Sequence, residues 1–223
     1  MNKPIITAVD EYNLDTFKKI IDALDINLCM VKVGSVSFNA LGHDAISYAS
    51  DKGFDIFLDL KLHDIPNTVK KSIEGLKSLP IKMLTIHTSG GKQMMKFAME
   101  AVKGTDIKIF GVTALTSLSD EDTNKIYKRD AFDQVNAMLD LAEESGIDGV
   151  VCSPHELILV SKRESLLSII PGIRLTSTDD DQKRVMTPKQ AIALGADYLV
   201  IGRPITGSED MNKSLNEIYQ SIQ

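Results

Sequence analysis

The chain has 223 residues, and 25 Lys and Arg against 31 Asp and Glu give a formal net charge of −6. At roughly 150 residues per domain this length allows one large domain. With 43% hydrophobic and 25% charged residues, the composition is that of a globular protein, which excludes disorder, collagen and a disulfide scaffold. The acidic balance argues against nucleic-acid binding, but it leaves an anionic small molecule open as substrate.

The cysteines and the N-terminus predict the compartment. Cys29 and Cys152 both lie in apolar runs, which indicates buried thiols in a reducing compartment rather than a disulfide or a metal site. The opening MNKPIITAVD lacks a signal-peptide pattern, and no run approaches the ~18 apolar residues of a membrane helix. We therefore expect a cytoplasmic protein that does not enter a membrane.

Eight short runs rich in Ile, Val and Leu recur along the chain. They are continuous rather than alternating, as expected of parallel strands that are covered on both faces. The runs are 5–9, 28–33, 54–60, 81–87, 107–115, 148–153, 166–173 and 197–202.

Amphipathic segments separate these runs. In the first one, Leu14, Phe17 and Ile21 follow the spacing of a helix with one apolar face. The remaining predicted helices are 39–52, 66–78, 91–102, 131–145, 155–165, 188–194 and 209–222.

Eight strands alternating with eight helices predict an α/β protein in which residues 1–223 form a single-domain (β/α)8 TIM barrel. The alternative is an open doubly wound sheet. That fold usually carries a glycine-rich phosphate loop after its first strand, and AVDEYN at 8–13 offers none.

A barrel builds its active site at the carboxyl ends of its strands, and the densest cluster of charge there is DLKLHD at 59–64. Asp59 and Lys61 lie two apart in a predicted strand, so they share a face, and Lys32 at the end of the second strand becomes their neighbour. Asp64 is a further candidate. Carboxylates that surround a protonated lysine suit a general acid, whereas the alternative interpretation is a structural ion-pair network.

Two histidines near this cluster are weaker candidates. His63 is interpreted as a solvated side chain, because its charged neighbours account for the cluster without it. His87, in TIHTSGG, fits a hydrogen-bonded histidine at a strand end as readily as a ligand, and we place it behind the site.

The segments after strands 7 and 8 predict a phosphate site and a lid. Gly202 and Arg203 follow the last strand, where barrels often bind phosphate through backbone N–H groups and a guanidinium. The polar loop from Arg174 to Pro188 has a length that suits a mobile lid. No His, Cys or Asp set has zinc or iron spacing, so we expect no metal.

The run DLKLHDIPNT at 59–68 matches D-x-K-x-x-D-I-P-N-T, and on this motif the chain resembles the orotidine 5′-phosphate decarboxylase family in its bacterial form. The resemblance extends over nearly the whole chain. The further matches are AVD at 8–10, VKVG at 31–34, IHTSGG at 86–91, VTALTS at 112–117, PGIR at 171–174, DQKRVMTP at 181–188 and GADYLVIGRPIT at 195–206.

The resemblance implies cofactor-free decarboxylation of orotidine 5′-monophosphate to UMP in pyrimidine biosynthesis. It implies that Asp10 and Lys32 bind the ribose hydroxyls, that Asp59 lies next to the substrate carboxylate, and that Lys61 protonates C6. It also implies an obligatory homodimer. The other implied roles are Asp64 and Thr68 in the partner's active site, Thr116 on the pyrimidine, Gln182 bridging base and phosphate, and Arg174, Gly202 and Arg203 on the phosphate.

Two other functions are compatible with parts of this sequence. A sugar-phosphate decarboxylase, aldolase or epimerase of the same barrel superfamily shares the shorter D-x-K-x-x-D motif, but the I-P-N-T extension, PGIR and Gln182 favour a nucleotide substrate. A catalytically silent barrel that binds a nucleotide would have no use for the charges of Asp59, Lys61 and Asp64.

Overall fold

The structure, a computed structural model, describes residues 3–174 and 186–223. Eight parallel strands hydrogen-bond in chain order and close into a barrel, because the first strand also pairs with the last. The predicted TIM barrel is therefore confirmed. The strands are β1 (Ile5–Val9), β2 (Cys29–Gly34), β3 (Ile56–Leu62), β4 (Met83–His87), β5 (Lys108–Val112), β6 (Gly149–Val151), β7 (Leu167–Ile170) and β8 (Tyr198–Ile201).

Helices surround the barrel and cover its strands. In the described residues they are α1 (Leu14–Ala23), α2 (Ser35–Leu41), α3 (His43–Asp51), α4 (Pro66–Leu76), α5 (Gly91–Val102), α6 (Asp120–Tyr127), α7 (Ala131–Ser145), α8 (Leu157–Val160), α9 (Pro188–Ala193), α10 (Arg203–Thr206) and α11 (Met211–Ser221). In the same residues no helix combines the length and the apolar character needed to cross a membrane.

The helical layer differs from the prediction in four places, one of which is the one-turn helix α10, which was not predicted. The single helix predicted over 39–52 is two helices, because Gly42 between them has φ +59°, a left-handed value that ends α2. The predicted helix 155–165 is a 3-10 turn followed by the one-turn α8. Helix α6 was not predicted, since Thr123 is its sole buried residue and it shows no apolar period.

The inside of the barrel divides into two levels. A plug of apolar side chains fills the lower part, with Phe110 meeting Phe57 and Tyr198 edge-on at ring-centroid distances of 6.4 and 6.3 Å. Such edge-to-face contacts add to the stability gained from burial. A cavity lies above this plug, toward the carboxyl ends of the strands.

Candidate active site

A cavity of about 350 Å³ opens at the carboxyl ends of the strands. Its floor is apolar, and its walls bring cations and carboxylates from strands far apart in the sequence. This volume falls in the range of small-molecule sites. The charged residues that line it are Asp10, Lys32, Asp59, Lys61, Arg174 and Arg203.

Acidic and basic side chains alternate along one wall. Lys32 Nζ lies 3.0 Å from Asp10 Oδ1 and 3.6 Å from Asp59 Oδ2, and Lys61 Nζ lies 2.7 Å from that same Asp59 oxygen. The side chains of Lys32 and Asp59 are only 10% and 11% exposed. We call Asp10, Lys32, Asp59 and Lys61 the charge row. Buried charges are stable only when they are paired, and each member here has an opposite charge beside it.

The carboxylate of Asp59 is ionised in this environment. Burial acts to raise its pKa, but the positive charges of Lys32 and Lys61 and the hydrogen bonds it accepts outweigh burial and hold the pKa below the usual value. The charge row thus keeps a buried anion between two ammonium groups at neutral pH.

The geometry of β3 differs from the regular strand assumed in the sequence analysis. Asp59 and Lys61 do meet, but through a bulge: Leu58 pairs with Leu84 and Leu62 with Ile86, so three residues of β3 stand opposite one residue of β4. Lys61 itself has φ +52°, in the left-handed region. A non-glycine residue held there costs on the order of 1–3 kcal/mol, so neighbouring contacts must stabilise it.

Thr85, the β4 residue opposite the bulge, was missed by the sequence analysis. It is completely buried, its hydroxyl donates to Asp59 Oδ1 at 2.9 Å, and its own Oγ1 accepts the Lys61 backbone N–H at 2.8 Å. The available signal was a hydroxyl residue inside the otherwise apolar strand MLTIH.

The ion pair between Asp10 and Lys32 needs the space left by Gly34, the last residue of β2. Lys32 lies two residues before this end, inside the strand rather than at its terminus. A Cβ at position 34 would lie 2.7 Å from both Asp10 Oδ1 and Lys32 Nζ, so only glycine leaves room for their ion pair. Ser37 fixes the loop that carries Asp10, because its hydroxyl donates to the Val9 carbonyl and accepts the Glu11 N–H.

The segments after β7 and β8 contribute the remaining cations. Arg174 is anchored by its backbone N–H, which donates to the Met186 carbonyl, and its Nη1 donates to the Ile173 carbonyl. Gly202 caps the short helix α10, which begins at Arg203. Thr116, from the loop after β5, also lines the cavity.

Two of the predicted site residues stand apart from this cavity. Asp64 and Thr68 are exposed and do not line it, and the Asp64 carboxylate accepts the N–H of Ile65. Gln182, together with most of the predicted lid, lies outside the described residues.

The two histidines lie together beside the charge row. The rings of His63 and His87 are 5.3 Å apart, with His63 exposed and His87 partly buried. Burial, the His63 ring and the Lys61 charge together lower the pKa of His87. His87 is therefore a neutral imidazole at neutral pH.

Together the fold and the site define a (β/α)8-barrel enzyme whose cavity combines a buried lysine–aspartate row with arginines after the last two strands. The model of the orotidine 5′-phosphate decarboxylase / HUMPS family matches residues 3–218. The chain belongs to this family.

Individual relatives agree over the whole chain. Orotidine 5′-phosphate decarboxylase of Ehrlichia canis (strain Jake) is 46% identical, with 98% of this chain and 97% of the relative covered. The enzyme of the same name from Shewanella sediminis (strain HAW-EB3) is 44% identical, with 99% and 97% covered. The crystal structure of orotidine 5′-phosphate decarboxylase from Lactobacillus acidophilus is similar with a TM-score of 0.88, at 35% identity and 99% coverage of both chains.

Proposed function

We propose that this chain decarboxylates orotidine 5′-monophosphate to UMP, a step of pyrimidine biosynthesis, without a cofactor. The observation that carries the proposal is the charge row, in which the Lys61 ammonium lies 2.7 Å from a buried, ionised Asp59 inside a nucleotide-sized cavity. The family of this chain supports the same reaction, because the relatives described above are named for that activity.

The chemistry requires a cation at the reacting carbon. When the bond between C6 and the carboxylate breaks, CO2 leaves and its electron pair stays on C6, in an orbital that the ring π-system does not delocalise. In our proposal the Lys61 ammonium stabilises this carbanion and then transfers a proton to C6, which yields UMP. Lys61 is suited to this because Asp59 holds its ammonium group in place.

Asp59 acts on the ground state in this proposal. Its carboxylate stays ionised, so a substrate carboxylate bound next to it is repelled, and the repulsion disappears when neutral CO2 forms. Lys32 lies between Asp59 and Asp10, where it pairs with both carboxylates and, together with Asp10, contacts the ribose hydroxyls.

The opposite side of the cavity binds the phosphate. Arg174 and Arg203 supply guanidinium groups, Gly202 supplies backbone at the start of α10, and Thr116 contacts the pyrimidine. Gln182 is proposed to bridge the base and the phosphate. Phosphate binding, remote from C6, supplies energy that is expressed in the rate of the chemical step.

The enzyme is proposed to act as a homodimer in the cytoplasm. Asp64 and Thr68 face solvent in the single chain, which suits side chains that complete the active site of a partner. Cys29 and Cys152 are buried free thiols, as expected in a reducing compartment.

The decisive test follows the loss of orotidylate absorbance with EDTA present. We expect turnover by the parent protein, and we expect Lys61→Ala to abolish it while UMP still binds. A metal-dependent sugar-phosphate enzyme or a silent binder would leave the absorbance unchanged. Near-normal decarboxylation by Lys61→Ala would contradict the role given to Lys61.

A further inference from the structure

We propose that Thr85 is a positioning residue whose hydroxyl fixes the Asp59 carboxylate and the Lys61 backbone relative to each other. The inference rests on the decarboxylation proposed above and extends it to a residue that does not line the cavity.

One oxygen makes both contacts. Thr85 Oγ1 accepts the N–H of Lys61 at 2.8 Å and donates to Asp59 Oδ1 at 2.9 Å, while Lys61 Nζ contacts the other oxygen, Oδ2, at 2.7 Å. The acid therefore has one oxygen for the threonine and one for the ammonium. Since a hydroxyl has a single proton, its donation to Asp59 also leaves its lone pairs directed to the Lys61 amide.

The bulge in β3 explains why Thr85 is the residue that bonds both Asp59 and the Lys61 backbone. Asp59, Leu60 and Lys61 together stand opposite Thr85, so the regular ladder cannot pair the Lys61 N–H with a β4 carbonyl in the usual register. The hydroxyl replaces that missing partner. It thereby stabilises the left-handed φ of +52° that turns the Lys61 side chain back onto Asp59.

Other features of Thr85 agree with a dedicated role. Its side chain is 0% exposed, and it points into the barrel, between the apolar plug and the mouth, where a hydroxyl without partners would be costly. Thr88 provides the contrast: it is equally buried, but its hydroxyl donates 2.9 Å to the Val112 carbonyl and does not contact the charge row.

The test compares Thr85→Val, Thr85→Ser and Thr88→Val with the parent enzyme. Valine keeps the shape and removes the hydroxyl, serine keeps the hydroxyl, and Thr88→Val removes a buried hydroxyl that serves structure alone. We expect Thr85→Val to lower kcat about 10- to 100-fold, because a hydrogen bond to a charged group is lost and the reacting groups are misplaced. The affinity for UMP, which lacks the C6 carboxylate, stays unchanged, and Thr85→Ser restores kcat.

The pH profile separates positioning from simple loss of stability. Because the Thr85 hydrogen bond favours the ionised form of Asp59, its removal moves the acidic limb of kcat to higher pH in Thr85→Val but not in Thr88→Val. Circular dichroism and thermal unfolding establish that each variant is folded.

The possible outcomes distinguish the positioning role of Thr85 from the proposed function. An active parent with a fully active Thr85→Val overturns the positioning role and leaves the proposed function intact. An equal loss of kcat in Thr88→Val, or a Thr85→Ser enzyme as slow as the valine variant, overturns it as well. A parent that does not consume orotidine 5′-monophosphate overturns the proposed function and this inference together.

Discussion

Both ends of the barrel carry Lys–Asp ion pairs, but the pairs differ in how much of each side chain is exposed to solvent. At the amino end of the strands, Lys3 lies 3.4 Å from Asp55, and their side chains are 23% and 42% exposed. At the carboxyl end, Lys32 Nζ lies 3.6 Å from Asp59 Oδ2, and the two side chains are 10% and 11% exposed. The distances are similar, so solvent access is the physical difference between the two ends.

That difference separates stability from function. A pair in contact with water contributes about 0–1 kcal/mol, because solvent already stabilises each charge. A buried pair must offset the desolvation of both ions, and replacing it by apolar residues is often neutral or stabilising. Folding alone therefore gives no reason to keep the charge row, whereas electrostatic catalysis in a site shielded from water does.

The backbone shows the same division. At the amino end the strands are regular, and acids just before them cap their neighbours: Asp148 accepts the Ile109 N–H and Asp197 accepts that of Ser168. At the carboxyl end, β3 bulges and Lys61 is left-handed. Local strain is thus concentrated at the end that holds the cavity.

The largest effect is expected from removing the acid at the carboxyl end, and removal of the acid at the amino end is its control. Asp59→Ala leaves Lys61 without its carboxylate and Lys32 with Asp10 alone, so we expect about 3 kcal/mol lower stability and a 10²- to 10³-fold lower kcat. Asp55→Ala breaks the exposed pair with Lys3 and costs at most about 1 kcal/mol, with kcat unchanged.

Denaturant unfolding and steady-state kinetics on the same preparations measure both quantities. If the two variants lose the same free energy of unfolding, burial is not what distinguishes the ends. An Asp59→Ala enzyme that keeps its kcat would remove the functional reason for the charge row.

Gly149 and Gly34 allow a second comparison of the two ends, with smaller expected effects. At position 149 a Cβ would lie 2.4 Å from the backbone oxygen of Leu167 and 2.6 Å from the Phe110 ring, so Gly149→Ala should cost about 1–3 kcal/mol of stability. At position 34 the clash is with the movable tips of Asp10 and Lys32. We expect Gly34→Ala to fold normally but to bind UMP about tenfold more weakly, since the ion pair is displaced.

Thermal unfolding and calorimetric titration with UMP distinguish these two results. Stability should change mainly in Gly149→Ala and affinity mainly in Gly34→Ala. The opposite assignment, with Gly34→Ala unstable and binding UMP normally, would show that Gly34 serves the fold.

The sequence predicted the amino end of the barrel better than the carboxyl end. Continuous apolar runs report a strand that is buried on both faces, so the eight strands and their order followed from local composition. The cluster Asp59 and Lys61 was also visible, because burying unpaired ions is costly wherever they occur. Helix α6 was not visible, since it packs through little more than Thr123.

The bulge and its partner could not be read from the sequence. A bulge is a relation between two strands, and nothing in DLKL states that Thr85, 24 residues beyond Lys61, will stand opposite three residues. The need for glycine at position 34 has the same origin, because the atoms it accommodates belong to Asp10 and Lys32 and meet only in the closed barrel. Roles that depend on such non-local contacts require coordinates.

The smallest predicted effect concerns His87 and the pH dependence of stability. Its pKa lies below the usual 6.5 because of burial, the His63 ring and Lys61, so the folded protein keeps this ring neutral to lower pH than the unfolded chain does. As the pH falls below about 6.5, the unfolded chain binds more protons and stability decreases. His87→Gln removes this contribution and should flatten the decline between pH 7 and 5 by a few tenths of a kcal/mol, since solvent screens a half-buried ring.

Denaturant unfolding at several pH values measures this slope, and His155→Gln, on an exposed turn, controls for the loss of a histidine as such. A steeper decline in His87→Gln would mean that the folded protein stabilises the charged ring. In that case the carboxylate of Asp59, which acts to raise the His87 pKa, would outweigh burial, the His63 ring and the Lys61 charge together. The sign of this small effect therefore reports whether the Asp59 carboxylate outweighs burial and the neighbouring positive charge at the His87 ring.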